Sequence, residues 1–473
     1  MTKDTNNKMV GLYNLPPNMN CRKEVIRPEK LLSPQRLDIA AKYLYLKLRE
    51  NCKERAEYVY TEHIRAMTKN SFVEPYSEKT SSRKFISSFD TLYEAIKANG
   101  YFDDLSPIPV DRNYRIMDGA HRVAICLLLD IDVPICIYPI DADHDIYDQA
   151  YFEESGMDSD ILEDIVLTYI QLTSRCACIN IWPSAEGKDD ELWSIISKEF
   201  KVIYKKSIPL NENGAFYYLA QIYKEYSWAQ NSDDGFSGVY RKLMPCFPNF
   251  NPVRAVFVEV EEYDDLVEIK EKMRQLFALE KHSLHMTDNK EETLEMAEIL
   301  LSNNSISFMN QCNALEYKNT FKLLEGAKKI MKNGTVCFTG SIVLALYGIR
   351  QANDLDYVSY DDSDKDSHND LLQYYSYKKN DILYRRDLHF VFFGIPFLTL
   401  DCIKAFKTNR KEGKDIDDIK LIEMIHKNQG RSRKAELIRC KRRVVAKLQG
   451  IIIRFAHATG TYEVLRKIYQ IIK

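Results

Sequence analysis

The chain lacks several features that would fix its class at once. No run of about 20 uncharged apolar residues, the length a spanning helix needs, is present. The stretch Val123 to Ile140 comes nearest and is broken by Asp130 and Asp132. Met1 to Pro17 is polar, without the charged-then-apolar order of a secretory signal. The eleven cysteines include no CxxC pair and are odd in number. That pattern speaks for buried or free thiols and against a disulfide framework. Cys176 and Cys178 alternate on an expected strand, too close and too isolated for zinc. A reducing compartment, the cytoplasm, is therefore expected. Charge of one sign is not in excess either: 66 Lys+Arg stand against 69 Asp+Glu, a net −3. Bulk charge thus favours neither a general nucleic-acid binder nor an acidic solvating protein. Internal repeats and low-complexity tracts are missing, and no residue pattern signals an oligomeric state.

What is present is globular composition, 45% hydrophobic and 29% charged over 473 residues. At roughly 150 residues per domain, that length suggests about three domains. The first segment, 1–155, has apolar residues three and four apart from Leu37 to Leu48. A second helix over Phe85 to Ala98, a strand near Ile108 and the run YRIMDGAHRVAICLLL follow. The second, 156–312, alternates strand, helix and strand: CINIW, DDELWSIISKEF, KVIYKKSI. The third, 313–430, opens with a helix, a strand over Thr335 to Thr339 and GSIVLALYGIRQANDLDYV. Such alternation predicts α/β or α+β layers rather than a bundle, and an α+β multidomain chain is the fold class expected. The remainder, 431–473, carries twelve Lys/Arg against Glu436 and Glu463, about +10. Its Val444, Val445, Leu448, Ile451, Ile452 and Phe455 share one helical face. This tail reads as basic helices packed on their own domain, or as a contact for an anionic membrane or a phosphate-rich substrate.

The sharpest chemistry lies between Gly340 and Asp356. A strand ending at Gly340-Ser341 and entering a helix presents N–H groups and a hydroxyl suited to phosphate. Asp354 and Asp356 alternate across Leu355, so on a strand both carboxylates point to one side. Two such charges repel unless a cation such as Mg²⁺ bridges them. This spacing, with Gly348, Arg350 and the later LDCIKAFKTNRKEGKDIDDIKLI, resembles the nucleotidyltransferase superfamily, especially its minimal and antibiotic-modifying branches. The resemblance implies that Gly340 and Ser341 hold a triphosphate, that Asp354 and Asp356 bind Mg²⁺ (or Mn²⁺), and that Arg350 is a supporting cation. Members usually carry a third carboxylate on the next central strand; Asp387 in RRDLHF is the candidate, with His389 as another possible base. Lys404, Lys414 and Asp415 match the later pattern, where structural and phosphate-contacting roles both occur.

In the middle segment, KHSLHMTDNKEET places His282 and His285 three apart, a weak metal pattern. The order CINIWPSA, amphipathic helix, FYYLAQIYKEY, VRAVFVEV, MRQLF and HSLHMTD resembles nucleoside diphosphate kinases, in which a histidine is phosphorylated. His285, Thr287 and Asp288 stand at the matching positions. Trp182 replaces the family's lysine, His282 its asparagine, and Met296, next to Glu295, its imidazole-orienting glutamate. The resemblance implies a ferredoxin-like sandwich that handles nucleotides. In the first segment Asp118, Gly119, Ala120, His121 and Arg122 lie between an expected strand, Tyr114 to Met117, and a helix, Val123 to Leu129. Gly119 permits a tight turn, Arg122 can hold phosphate at the helix start, and His121 can act as acid or base. I-x-D-G-x-H-R before an apolar helix resembles the ParB/sulfiredoxin-like domain, whose members bind CTP or ATP.

All three resemblances concern nucleoside triphosphates. The expectation is a Mg²⁺-dependent nucleotidyltransferase with a non-nucleic-acid acceptor: a sugar, a sugar phosphate or a lipid-linked glycan. Two alternatives stand beside it, a phosphotransferase acting through the DGAHR site or His285, and a non-catalytic nucleotide-gated interaction protein. Outside its tail the chain is acidic, so no nucleic-acid partner is expected.

Overall fold

The computed structural model describes residues 19–428, apart from 75–76, 103–104, 143–144 and 230–231, together with Val444 and Leu448. The expected basic helices of the tail otherwise lie outside the described residues. The molecule is α+β, with three small sheets each drawn from one stretch of chain.

The first sheet joins β1 (Arg22–Ile26), β2 (Ile108–Val110) and β3 (Val133–Ile137) in the order β1-β3-β2. Strand β3 runs antiparallel to β1 and parallel to β2. Its core takes Phe85, Phe89, Tyr93 and Ile96 from the helix Ser82–Asn99. These recur three and four apart, the spacing of one helical face. Ser81 caps that helix by accepting from the Lys84 N–H, and Gly100, at φ +69°, ends it. The expected strand Tyr114 to Met117 reduces to one bridge, Val110 to Ile116. Asp111 accepts from the Asn113 and Arg115 amides and Tyr114 takes φ +61°, so the chain turns there instead of extending. The β1–β3 register, which sets Lys23 against Cys136, also brings Cys21 to Cys136, and the two form a disulfide. This corrects the all-thiol expectation. The other described cysteines are buried free thiols.

The second sheet is antiparallel throughout, ordered β5-β6-β4-β7: β4 (Cys176–Ile181), β5 (Lys201–Ile208), β6 (Val253–Glu259) and β7 (Leu284–Met286). Every residue of β4 is buried, as a central strand covered on both faces requires. The third sheet is mixed, ordered β10-β11-β8-β9: β8 (Val336–Thr339), β9 (Asp356–Ser359), β10 (His389–Phe392) and β11 (Ile395–Leu398). Phe393 and Gly394, both at positive φ, make the two-residue turn between β10 and β11.

The helix Leu37–Leu48 is buried on two sides. Ile39, Tyr45 and Leu46 join the first sheet's core. Leu37, Ala40, Ala41 and Leu44 join a larger core with Ile161, Ile165, Phe257, Phe308, Phe338 and Phe390. One apolar core therefore passes through all three segments.

Candidate functional site

The β8-to-helix turn is built around Gly340. Its φ of +69° and ψ of −136° lie where L side chains rarely go. A Cβ there would stand 2.0 Å from Asp356 Oδ2, so only glycine admits that carboxylate against the turn. The helix Ser341–Leu346 begins at once, and Ser341 becomes the hub of the site. Its hydroxyl donates to Asp354 Oδ1 at 3.2 Å and its N–H to Asp356 Oδ2 at 3.4 Å. The two acids thus converge on one serine. Asp356 opens strand β9 while Asp354 sits in the bend before it, so the turn, more than strand alternation, aligns them.

A residue that sequence reasoning missed completes the carboxylate's surroundings. His368 Nε2 lies 3.1 Å from Asp356 Oδ1, and its Nδ1 is 3.3 Å from the Tyr375 hydroxyl. Tyr375 in turn donates to Thr339 Oγ1, on the residue before Gly340. Burial pushes the Asp356 pKa up, but His368 and the Ser341 amide more than offset it and hold the acid below its ordinary value. Nothing in the local sequence around SHND marks this histidine, because only the fold brings it to β9.

Mg²⁺ usually takes one or two carboxylates and fills its shell with water and phosphate oxygens. Asp354 and Asp356 fit that need. Among the described residues no group of three or more His, Cys, Asp or Glu could hold a metal, so a third protein ligand is not supplied.

The other expected members of this site are elsewhere. Asp387 precedes β10, the far edge of the sheet from β9. Three strand spacings separate those edges, about 14 Å. Asp387 instead pairs with Arg385 at 2.7 Å and faces Arg55 at 3.9 Å, and those cations outweigh its burial and lower its pKa. The expected carboxylate triad is therefore not formed. His389 is buried against the Ile382 carbonyl, and burial drops its pKa to about 4, so it faces the interior. Arg350 makes a two-pronged pair with Asp418, at 2.7 and 3.2 Å. Lys407, buried, bridges Asp418 at 2.8 Å and Asp415 at 3.1 Å. Arg410 also binds Asp415, and these cations overcome burial to hold its pKa at about 2. Lys404 pairs with Glu423 and exposed Lys414 with Glu412. Arg350 and Asp415 thus serve the frame under the carboxylates rather than open solvent.

In the middle unit His285 lies on β7 opposite Asn180 of β4. Its Nε2 meets Glu292 Oε1 at 3.0 Å, while Glu292 Oε2 accepts the Asp288 N–H at 2.8 Å. Glu292, one helical turn before Met296, is thus the carboxylate that orients the imidazole. Met296 is buried beside the Tyr218 hydroxyl, and Glu295 pairs with Lys224. Thr287 is fully buried, sharing a hydrogen bond with Thr293 and accepting the Cys178 N–H, so it is a sheet-core residue rather than a phosphate contact. Asp288 pairs with Lys270. His282 ends a short 3₁₀ turn and its carbonyl accepts from Ser184. Trp182, just past β4, and Asn180 are both buried, and among the described residues neither Trp182 Nε1 nor Asn180 Nδ2 finds an acceptor.

In the first unit the helix Ala120–Leu129 begins three residues earlier than expected, with Asp118 in the bend before it. Gly119 has φ +99°, and a Cβ there would meet Ile108 Cδ1 at 2.7 Å. Arg122 donates to Tyr101 Oη at 3.1 Å and Ser106 Oγ at 3.2 Å, anchoring the preceding loop. His121 Nε2 lies 2.8 Å from Tyr60 Oη and edge-on to Phe89. Burial, with Lys42 and Lys79 nearby, pushes its pKa well down. Beneath it runs a buried polar chain the sequence did not announce: Asp38 to Lys42 at 2.9 Å, then Lys42 to His63 Nε2 at 3.2 Å. An Asp and Lys four apart on a helix look like a surface pair, and tertiary packing buried them. A cleft of about 590 Å³ lies away from the carboxylates, between residues 30–36, 113–116 and 201–202. Its two arginines are already paired, Arg36 with Asp38 and Arg115 with Asp111.

Comparison with known proteins found no family model, no curated protein and no solved structure that matches the chain.

Proposed function

We propose that the turn at Gly340-Ser341 and the acids Asp354 and Asp356 transfer a nucleoside monophosphate from a nucleoside triphosphate to a hydroxyl acceptor. The acceptor oxygen bonds to the α-phosphorus as the bond to the pyrophosphate oxygen breaks. The observation that carries this reading is the convergence of both carboxylates on Ser341, at a turn where only glycine leaves room. Bound at those carboxylates, Mg²⁺ would neutralise phosphate charge and act as a Lewis acid. Ser341 and the start of its helix orient phosphate oxygens through N–H and O–H donors. His368 keeps Asp356 ionised and fixed. The mixed third sheet supports a nucleotidyltransferase-like domain. Likewise the β5-β6-β4-β7 order, with a helix after β4 and another after β6, supports a ferredoxin-like middle domain. The Gly119 turn supports a ParB/sulfiredoxin-like first domain. A sugar, sugar phosphate or lipid-linked glycan is the acceptor class proposed.

The test is incubation with Mg²⁺, an acceptor extract and triphosphates labelled at the α- or γ-phosphate. Transfer of α-label to an acceptor supports the reading, and its absence with every base overturns it. A second reading, phosphoryl transfer through His285, is favoured by the Glu292 hydrogen bond to Nε2, which leaves Nδ1 as the nucleophile. It predicts acid-labile γ-label on the protein that is lost in His285→Asn.

A further inference from the structure

The first sheet has two faces with different cover. Strand alternation turns Val133, Ile135 and Ile137 of β3 into the core shared with the helix Ser82–Asn99. Cys136 faces the other way, where its cover is a small cluster of Met117, Tyr138 and Ala142, joined by Met19, Cys21 and Ile140. The Cys21–Cys136 disulfide lies on this thinly covered side. Cys136 is 9% exposed and Cys21 is half-buried.

The other eight described cysteines are in the opposite setting. All are buried free thiols, and burial pushes seven of them above the ordinary thiol range, Cys52 to about 11 and Cys126, Cys176 and Cys246 to about 12. Only a thiolate exchanges with a disulfide, so these thiols are inert. Beside the disulfide, exposed Lys23 stands directly opposite Cys136 in the β1–β3 register, and such partners put their side chains on one face. A positive charge there favours the thiolate that leaves when the bond is attacked. The five residue pairs of that ladder also hold the two Cα atoms 5.5 Å apart, a spacing at which a disulfide forms without backbone movement.

We propose that Cys21–Cys136 is a thiol–disulfide exchange site, opened by a dithiol reductant, whose state governs the order of the Asp118-Gly119 turn. One thiolate of the dithiol attacks Cys21 Sγ, the more exposed sulfur, and the S–S bond breaks with its electron pair leaving on Cys136. The dithiol's second thiolate then attacks the mixed disulfide and releases Cys21. Two electrons pass to the protein, the dithiol's two protons end on the cysteines, and the dithiol becomes a disulfide. Reduction unties Met19 to Cys21 from the outer face of β3. Met117, buried in the same cluster, loses that cover, and it directly precedes Asp118 and the glycine at φ +99°. This inference is independent of the nucleotidyl-transfer reading, because the carboxylate site lies on the third sheet.

The experiment treats the full, native chain with dithiothreitol, alkylates it and maps each cysteine by peptide mass spectrometry. Cys21 and Cys136 should alkylate at least about tenfold faster than the eight buried thiols, because each pKa unit changes the thiolate fraction tenfold. Oxidised glutathione should then restore the linked peptide. In hydrogen exchange, residues 116–122 of the reduced chain should lose protection about fivefold or more, while β4 and β8 keep theirs. Cys21→Ser/Cys136→Ser should match the reduced parent. Lys23→Glu should slow the reduction severalfold at an unchanged melting temperature. A bond that stays closed until the chain unfolds is structural, and a pair that no oxidant joins is no exchange site. Equal alkylation of all the cysteines removes the selectivity, and an unchanged reduction rate in Lys23→Glu removes the role of its charge. Equal protection of 116–122 in both states uncouples the bond from the turn. Each of these results would overturn the proposal.

Discussion

Gly340 and His368 decide the carboxylate site for different physical reasons. At Gly340 both the backbone region and the space exclude a side chain. Gly340→Ala should cost about 1–3 kcal/mol from the backbone alone. It should also push the Asp356 carboxylate off the turn, so triphosphate binding weakens more than the melting temperature suggests. Isothermal titration beside thermal melts checks this, and an alanine variant that binds like the parent would contradict it. His368 acts through Asp356, with one nitrogen on the carboxylate and the other near Tyr375. Partners of this kind typically change metal affinity or turnover about 10- to 100-fold when removed. His368→Ala should therefore reduce Mn²⁺ affinity and transfer within that range. His368→Gln, which keeps a donor, should recover part of both, which a purely structural role would not show.

The helices Leu400–Arg410 and Gly413–Asn428 form the frame under the site. Lys407 is their common cation, buried between Asp415 and Asp418. Without it Asp415 keeps Arg410 and Asp418 keeps Arg350, so what is lost is one buried hydrogen-bond donor to each acid, at a cost of about 1–3 kcal/mol. Lys407→Met should show that loss in urea unfolding, whereas Lys414→Met, at an exposed pair, should change stability little. The helix Leu37–Leu48 and the Gly-Ser turn before the acid pair were legible in the sequence because their patterns are local. Strand order was not legible. Asp387 follows the acid pair in sequence, but β11 and β8 lie between its strand and β9. For the same reason the sequence hid His368 at Asp356, Glu292 at His285 and Cys21 at Cys136: each pairing depends on how elements stack, not on residue spacing. The paired state of Arg350 was equally hidden, since Asp418 lies 68 residues downstream.

Across the whole molecule, one core and one ionic seam tie the three segments together. Arg55 reaches Asp164 at 3.0 Å, Asp164 also binds Arg386, and Asn304 donates to the Asp387 carbonyl at 2.9 Å. Asp387, expected at the reaction centre, belongs to this seam. Three histidines add a pH dependence to the assembly. His63, His121 and His389 are all held neutral chiefly by burial, with folded pKa values below the usual 6.5. Their stabilising neutral form is fully present above pH 6.5. As pH falls below that, the unfolded chain takes protons that the fold refuses, and stability drops. For His389 the drop ends near its folded value of about 4. Each such histidine contributes up to about 1.4 kcal/mol per pH unit in that window. His389→Asn, which retains a donor for the Ile382 carbonyl, should make the slope of unfolding free energy between pH 6.5 and 5 shallower by about one proton. An unchanged slope would show that His389 titrates alike in both states.

The most direct measurement of the central claim is α-phosphate transfer by the parent chain, Asp354→Asn, Asp356→Asn and Asp387→Asn, each confirmed as folded. The parent and Asp387→Asn should transfer label to the acceptor, and the other two should not. Label transfer that survives in Asp354→Asn and Asp356→Asn, or that is missing from the parent with every nucleotide, would contradict it.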